Sequence, residues 1–220
     1  GTLLLFPVNL QAPFLCIAAM AAVFFYARTN ELSLGIHASF YLGAAAAASS
    51  LPGFTVAALS GTVPSAPRWD VWIVALSAAV CYIVGSRQTP ATQLAPDQKK
   101  RRLLWVLPAV VAGFAAAALA VVAIVWLAAG RADLSPSRLS VIRTVVNCAL
   151  ALAMGYLGSR WKRIELGWVA YTAVAFGTIK LLFEDLRFGN AASLVLSLLF
   201  YGLILILLPR LTRGTQAGKP

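Results

Sequence analysis

Acidic residues are scarce in this chain. Seven Asp and Glu stand against eighteen Lys and Arg in 220 residues, and only one histidine is present. So few carboxylates and imidazoles leave little material for metal-dependent chemistry, because such sites gather several of these ligands. The three cysteines, Cys16, Cys81 and Cys148, fall in three separate apolar stretches. No C-x-x-C, haem-attachment or zinc spacing joins them, so they read as small buried hydrophobes. The chain also lacks G-x-S-x-G, H-E-x-x-H, phosphate-loop and D-D-x-x-D patterns. Neither a catalytic activity nor a cofactor is expected.

Charge of either sign is sparse too, at 11% of residues, while apolar types make up 60%. A soluble domain is nearer half apolar and a quarter charged. The apolar residues come in blocks of bilayer-spanning length, and in hydrocarbon such blocks must satisfy their own backbone groups as helices. The expected fold is all-α: a polytopic transmembrane bundle forming a single domain over 1–220. Seven helices are expected, at about 11–28, 34–58, 69–86, 103–129, 138–158, 166–183 and 190–208. Residues 87–102 form a basic loop and 209–220 a basic tail.

The net charge of +11 would suggest nucleic acid in a soluble protein. Its distribution says otherwise. With the carboxyl end inside, Arg28, Arg87, Lys99, Lys100, Arg101, Arg102, Arg160, Lys162, Arg163, Arg210, Arg213 and Lys219 lie on the inner side. Arg68, Arg131, Arg138 and Arg187 lie on the outer side. Such an asymmetry is what sets orientation in a multi-pass protein, and it places the amino end outside. Nucleic acid is not an expected partner. The consecutive cations Lys99, Lys100, Arg101 and Arg102 would face lipid and attract anionic headgroups on the cytoplasmic side.

Small residues, Gly43 and Ala44 to Ala48, mark the 34–58 segment as one that packs inside the bundle. Pro52-Gly53 is expected to kink or end it. Trp69 and Trp72 open one span, and Trp105 and Trp126 mark the two ends of another, at depths where indoles favour the interface. Tyr82 to Arg87 and Tyr156 to Arg160 both end in Gly-Ser-Arg, a weak internal similarity.

Ionisable groups inside a span are costly and carry functional interest by default. Arg143 and Asn147 lie one turn apart on a single face of the 138–158 segment. In the next span Lys180 and Glu184 are spaced i,i+4 to pair, and Asp185 points about 100° away, free to meet Arg143. With Arg187 these residues form an ion-pair network at the outer side, fixing the two helices or serving as a transport site. His37 invites a pigment or haem reading, but one histidine cannot give bis-histidine ligation, and it sits near a helix end.

Arg143-Thr144, Trp161-x-Arg163, Glu165-Leu166-x-Trp168, Gly177-x-x-Lys180-Leu181-Leu182-x-Glu184-Asp185-Leu186-Arg187-x-Gly189, Ser197-Leu198, Tyr201-Gly202 and Leu208-Pro209-Arg210 resemble a known group of sequences. That group is the carboxyl-terminal end of large bacterial multi-pass membrane proteins to which no activity is assigned. The resemblance covers about the last third of the chain. It implies a polytopic architecture and a bacterial inner (cytoplasmic) membrane. It also implies that the chain is the end of a longer protein, in keeping with a first residue that is Gly and not Met. The leading functional expectation is a non-catalytic membrane subunit or scaffold within a larger complex, with other membrane subunits and lipids as partners. The alternative is a transporter of small molecules or lipids, with its site at Arg143, Asn147, Lys180, Glu184 and Asp185. A third reading is pigment or haem binding through His37.

Overall fold

The computed structural model of the chain describes residues 7–60, 66–87, 102–129, 136–185 and 191–213. Over these the chain forms eight α-helices: α1 (Val8–Thr29), α2 (Leu32–Ala48), α3 (Leu51–Leu59), α4 (Trp69–Arg87), α5 (Val106–Ala129), α6 (Pro136–Arg160), α7 (Ile164–Lys180) and α8 (Ala191–Arg213). A π-helical turn, Leu181–Asp185, continues α7. Among the described residues six helices are long and apolar enough to cross a bilayer, and the bent pair α2–α3 makes a seventh span if it crosses as one. The protein is an all-α, multi-pass membrane bundle.

α1 starts earlier than the 11–28 segment expected from the sequence, so Pro13 lies inside the helix and not at its start. So near the amino end, a missing N–H forfeits only one intrahelical bond, to the carbonyl four residues before. At its other end Asn30 takes the left-handed conformation (φ 61°), and its N–H donates to the Tyr26 carbonyl at 2.8 Å. Asparagine is the non-glycine residue that tolerates this cap best.

The span expected as one helix over 34–58 is two helices bent by 64°. The break falls at Ser49-Ser50, upstream of Pro52-Gly53. A helix running through Pro52 would lose the bond to the Ala48 carbonyl and drive the ring against it. The chain leaves the helix just before that point. Ser50 turns left-handed (φ 55°) and its N–H donates to the Ala47 carbonyl at 3.1 Å, while the buried Ser49 hydroxyl donates to the Ala46 carbonyl at 3.0 Å. α3 then begins at Leu51, with Pro52 in a first turn where no N–H is needed.

The chain divides into two compact units, one of residues 1–53 and 67–115, the other of 54–66 and 116–220. In the first, α1 packs on α2 and α4. Its buried stripe, Ala12, Leu15, Cys16, Ala19, Ala22, Val23 and Tyr26, repeats at helical spacing. Trp105 does not mark the interface as expected. It is 0% exposed, set edge-on to Tyr26 with ring centroids 5.3 Å apart, and its indole occupies the space where a side chain at Gly85 would sit. Trp69, Trp72 and Trp126 are half-exposed or more, as interfacial indoles are. In the second unit α6 packs on α7 and α8, while Phe54 of α3 packs on Ala58, Ala118 and Val122.

Candidate functional site

In the second unit one face of α6 is polar. Ser140, Arg143, Thr144 and Asn147 recur at i, i+3, i+4 and i+7, and all four are buried. They form a stripe about 10 Å long, at 1.5 Å per residue. Towards the far end of the helix the same face turns small, with Ala151, Gly155 and Gly158 buried. Leu208 of α8 lies where a side chain at Gly155 would sit. α6 is therefore polar in its first half and close-packed in its second.

Arg143 is 1% exposed. Its Nε donates to the Ala58 carbonyl at 2.8 Å, and a terminal guanidinium nitrogen to the Ala57 carbonyl at 3.5 Å. Both carbonyls belong to the last turn of α3, where the helix itself supplies no N–H partner. The Val56 carbonyl in that turn accepts from the backbone N–H and the hydroxyl of Ser60, at 2.7 and 3.0 Å. Arg143 thus caps the end of the short helix. A cation suits the negative end of a helix dipole, and charge-assisted bonds are the stronger kind.

Lys180, the last residue of α7, is 4% exposed. Its Nζ donates to the hydroxyls of Ser140 and Thr144, each at 3.3 Å, and to the Ser140 carbonyl at 3.5 Å. Asn147 completes the stripe: its Nδ2 donates to the Ala173 carbonyl of α7 at 2.9 Å and to the Tyr201 hydroxyl of α8 at 3.4 Å. These contacts need Gly177, because a Cβ there would collide with the Tyr201 hydroxyl and with Asn147 Nδ2. Some buried acceptors of this unit are left over. Among the described residues Asn147 Oδ1, the hydroxyl of Ser197, one turn before Tyr201, and the Glu165 carboxylate oxygens have no hydrogen-bond partner.

Of the residues expected to form the site, Arg143, Asn147 and Lys180 share this face. The side chains of Glu184 and Asp185, and all of Arg187, lie outside the described residues, and so do the ion pairs expected of them. The i,i+4 spacing invoked for Lys180 and Glu184 belongs to an α-helix, whereas the chain is π-helical from Leu181. Lys99, Lys100 and Arg101 also lie outside. Arg102 is buried, 7% exposed, and so is turned away from lipid. His37 is exposed on α2, its ring 6.1 Å from that of Tyr41. Among the described residues no three His, Cys, Asp or Glu come together as a metal site requires.

Ser140, Thr144, Ser197 and Tyr201 join the site as well; the last three fall within the motifs that carry the resemblance, with no role attached to them there. The first two were within reach, since they fall on the Arg143–Asn147 face by spacing alone. Tyr201 and Ser197 gave no such signal. Compared with known protein families, with curated proteins and with solved structures, the chain matches none of them.

Proposed function

We propose that this protein is a non-catalytic integral membrane subunit or scaffold, an accessory component of a larger complex in a bacterial inner membrane. One observation supports this above others: the costly intramembrane side chains are used to join helices. Arg143 ties α6 to α3, Lys180 ties α7 to α6, and Asn147 ties α6 to α7 and α8. Polar groups used in this way fix helix positions within a bundle. The distribution of Lys and Arg supports a cytoplasmic carboxyl end. Other membrane proteins are the partners such a role requires.

Extraction from the protein's own membrane in a mild detergent, followed by native mass and subunit analysis, tests the reading. A stoichiometric particle with other subunits is the expected result. A lone chain with no partner would overturn it.

A second reading, transport of a small polar molecule, is favoured by two buried polar atoms, Asn147 Oδ1 on α6 and the Ser197 hydroxyl on α8, that lack a hydrogen-bond partner among the described residues. Flux lost by an Asn147→Leu variant that still folds would move the assignment there.

A further inference from the structure

The connection between α6 and α7 is a short, tightly built corner. Its backbone closes α6 in a Schellman arrangement: the N–H of Arg163 donates to the Gly158 carbonyl at 2.8 Å and that of Lys162 to the Ser159 carbonyl at 3.3 Å. Gly158 lets the two helices meet, because a Cβ there would lie 3.1 Å from the Arg163 carbonyl oxygen and 3.2 Å from the Leu166 Cβ. The left-handed residue of this cap is ordinarily glycine. Here it is Lys162, at φ 53°. A lysine held in that conformation is strained, and strain retained at one position points to a use for its side chain.

That side chain is exposed, and so is the neighbouring Arg160. Among the described residues the acid next to them in the chain is Glu165, which is buried and lies 3.5 Å from Arg163. Trp161 lies between the two cations in the chain and Trp168 follows in the second turn of α7, and they are 54% and 61% exposed. Indoles of this kind anchor at the headgroup level, with their N–H available to an oxygen acceptor. Two exposed cations with no ion pair among the described residues, on a tight turn with exposed indoles at Trp161 and Trp168, complement a negative headgroup at the lipid surface.

We propose that this corner binds the phosphate-bearing headgroup of an anionic membrane lipid through Arg160 and Lys162, with Trp161 and Trp168 seated in the interface around it. The inference rests on the inward orientation proposed above and not on the accessory-subunit role. A failure of one therefore leaves the other standing.

The test is native mass spectrometry of the full chain, titrated with phosphatidylglycerol or with phosphatidylcholine of the same acyl chains. The wild type should hold phosphatidylglycerol more tightly, and inorganic phosphate should not displace it. R160Q/K162G should weaken phosphatidylglycerol binding about 30-fold, from about 1 kcal/mol per basic residue, and leave phosphatidylcholine unchanged. K162R should bind as the wild type does. K162G alone keeps the turn and relieves its strain, so it folds even if the double variant does not, and it should lose about fivefold. Unchanged binding by K162G and R160Q/K162G would overturn the proposal. So would equal affinity of the wild type for the two lipids, or a loss confined to K99Q/K100Q/R101Q.

Discussion

Arg143 would be costly to bury if its guanidinium were not bonded to the end of α3. Replacing it removes a charge-assisted bond and uncovers the Ala58 carbonyl in a dry environment. Hydrogen bonds involving charged groups contribute about 1.5–3 kcal/mol. Arg143→Ala should therefore lower stability by about 2–3 kcal/mol, read as a drop in Tm in detergent. Arg143→Lys should lose less, because it keeps the charge but not the Nε geometry. An unchanged Tm for the alanine variant would mean that α3 needs no cap. Gly177 supplies a second prediction. Gly177→Ala pushes a methyl into the Tyr201 hydroxyl and Asn147 Nδ2, and overpacking of this sort costs about 1–3 kcal/mol. Tyr201→Phe removes the obstructing oxygen, so the double variant should be more stable than the sum of its two single changes. Strict additivity would show that the two residues do not meet. At this scale the sequence was partly legible. Arg143, Asn147 and Lys180 stood out because charge and amide groups are rare in apolar blocks. Tyr201 did not, since a tyrosine in a span is as much at home on a lipid-facing surface, and only the missing Cβ of Gly177 brings it to Asn147.

Between α2 and α3 a single residue takes up the change of direction, and that makes it testable. Ser50 holds φ 55°, a conformation that costs an L residue about 1–2 kcal/mol and glycine little. Ser50→Gly should raise stability by about 0.5–1 kcal/mol, after allowing for the extra freedom glycine gives the unfolded chain. Ser50→Val should lower it, since a β-branched side chain is the least suited to that region. If thermal unfolding ranks glycine below serine, the break does not depend on Ser50. Apolar block length carried the existence and type of every span, because hydrocarbon leaves a chain no other way to satisfy its backbone. It did not carry the ends. Pro52 announced a break, but the break point lies upstream, where the chain can turn before the proline meets the Ala48 carbonyl. The π-helical turn at Leu181–Asp185 had no signature in composition at all. Trp105 was misplaced for a related reason. An indole near a helix end usually marks the interface, yet here the Trp105 ring occupies the space that the missing side chain of Gly85 leaves inside the first unit.

Across the whole molecule, seven spans would put the two ends on opposite sides of the membrane if the bent pair α2–α3 crosses it, and the surplus of Lys and Arg is the basis for the proposed way round. The cysteines make this choice easy to test. Cys16, Cys81 and Cys148 are buried and free, so a membrane-impermeant maleimide should leave the wild type unlabelled. Single cysteines can then be placed at exposed positions flanking the spans. Ala66 precedes α4 on the proposed outer side, whereas Thr29 ends α1 and Arg160 ends α6 on the inner side. Ala66→Cys should label in intact cells. Thr29→Cys and Arg160→Cys should label only once the membrane is opened. The reverse pattern would invert the bundle and move the Arg160–Lys162 corner to the outer leaflet, where the transmembrane asymmetry of anionic lipid no longer favours it. Labelling of Ala66→Cys and Thr29→Cys from the same side would mean that the bent pair α2–α3 re-enters the membrane without crossing it. The span count would then fall to the six unbroken helices. Arg143 would in that case hold the tip of a re-entrant segment, the kind of irregular backbone that membranes tolerate where it lines a cavity. Of all the outcomes, that one would most strengthen the transport reading.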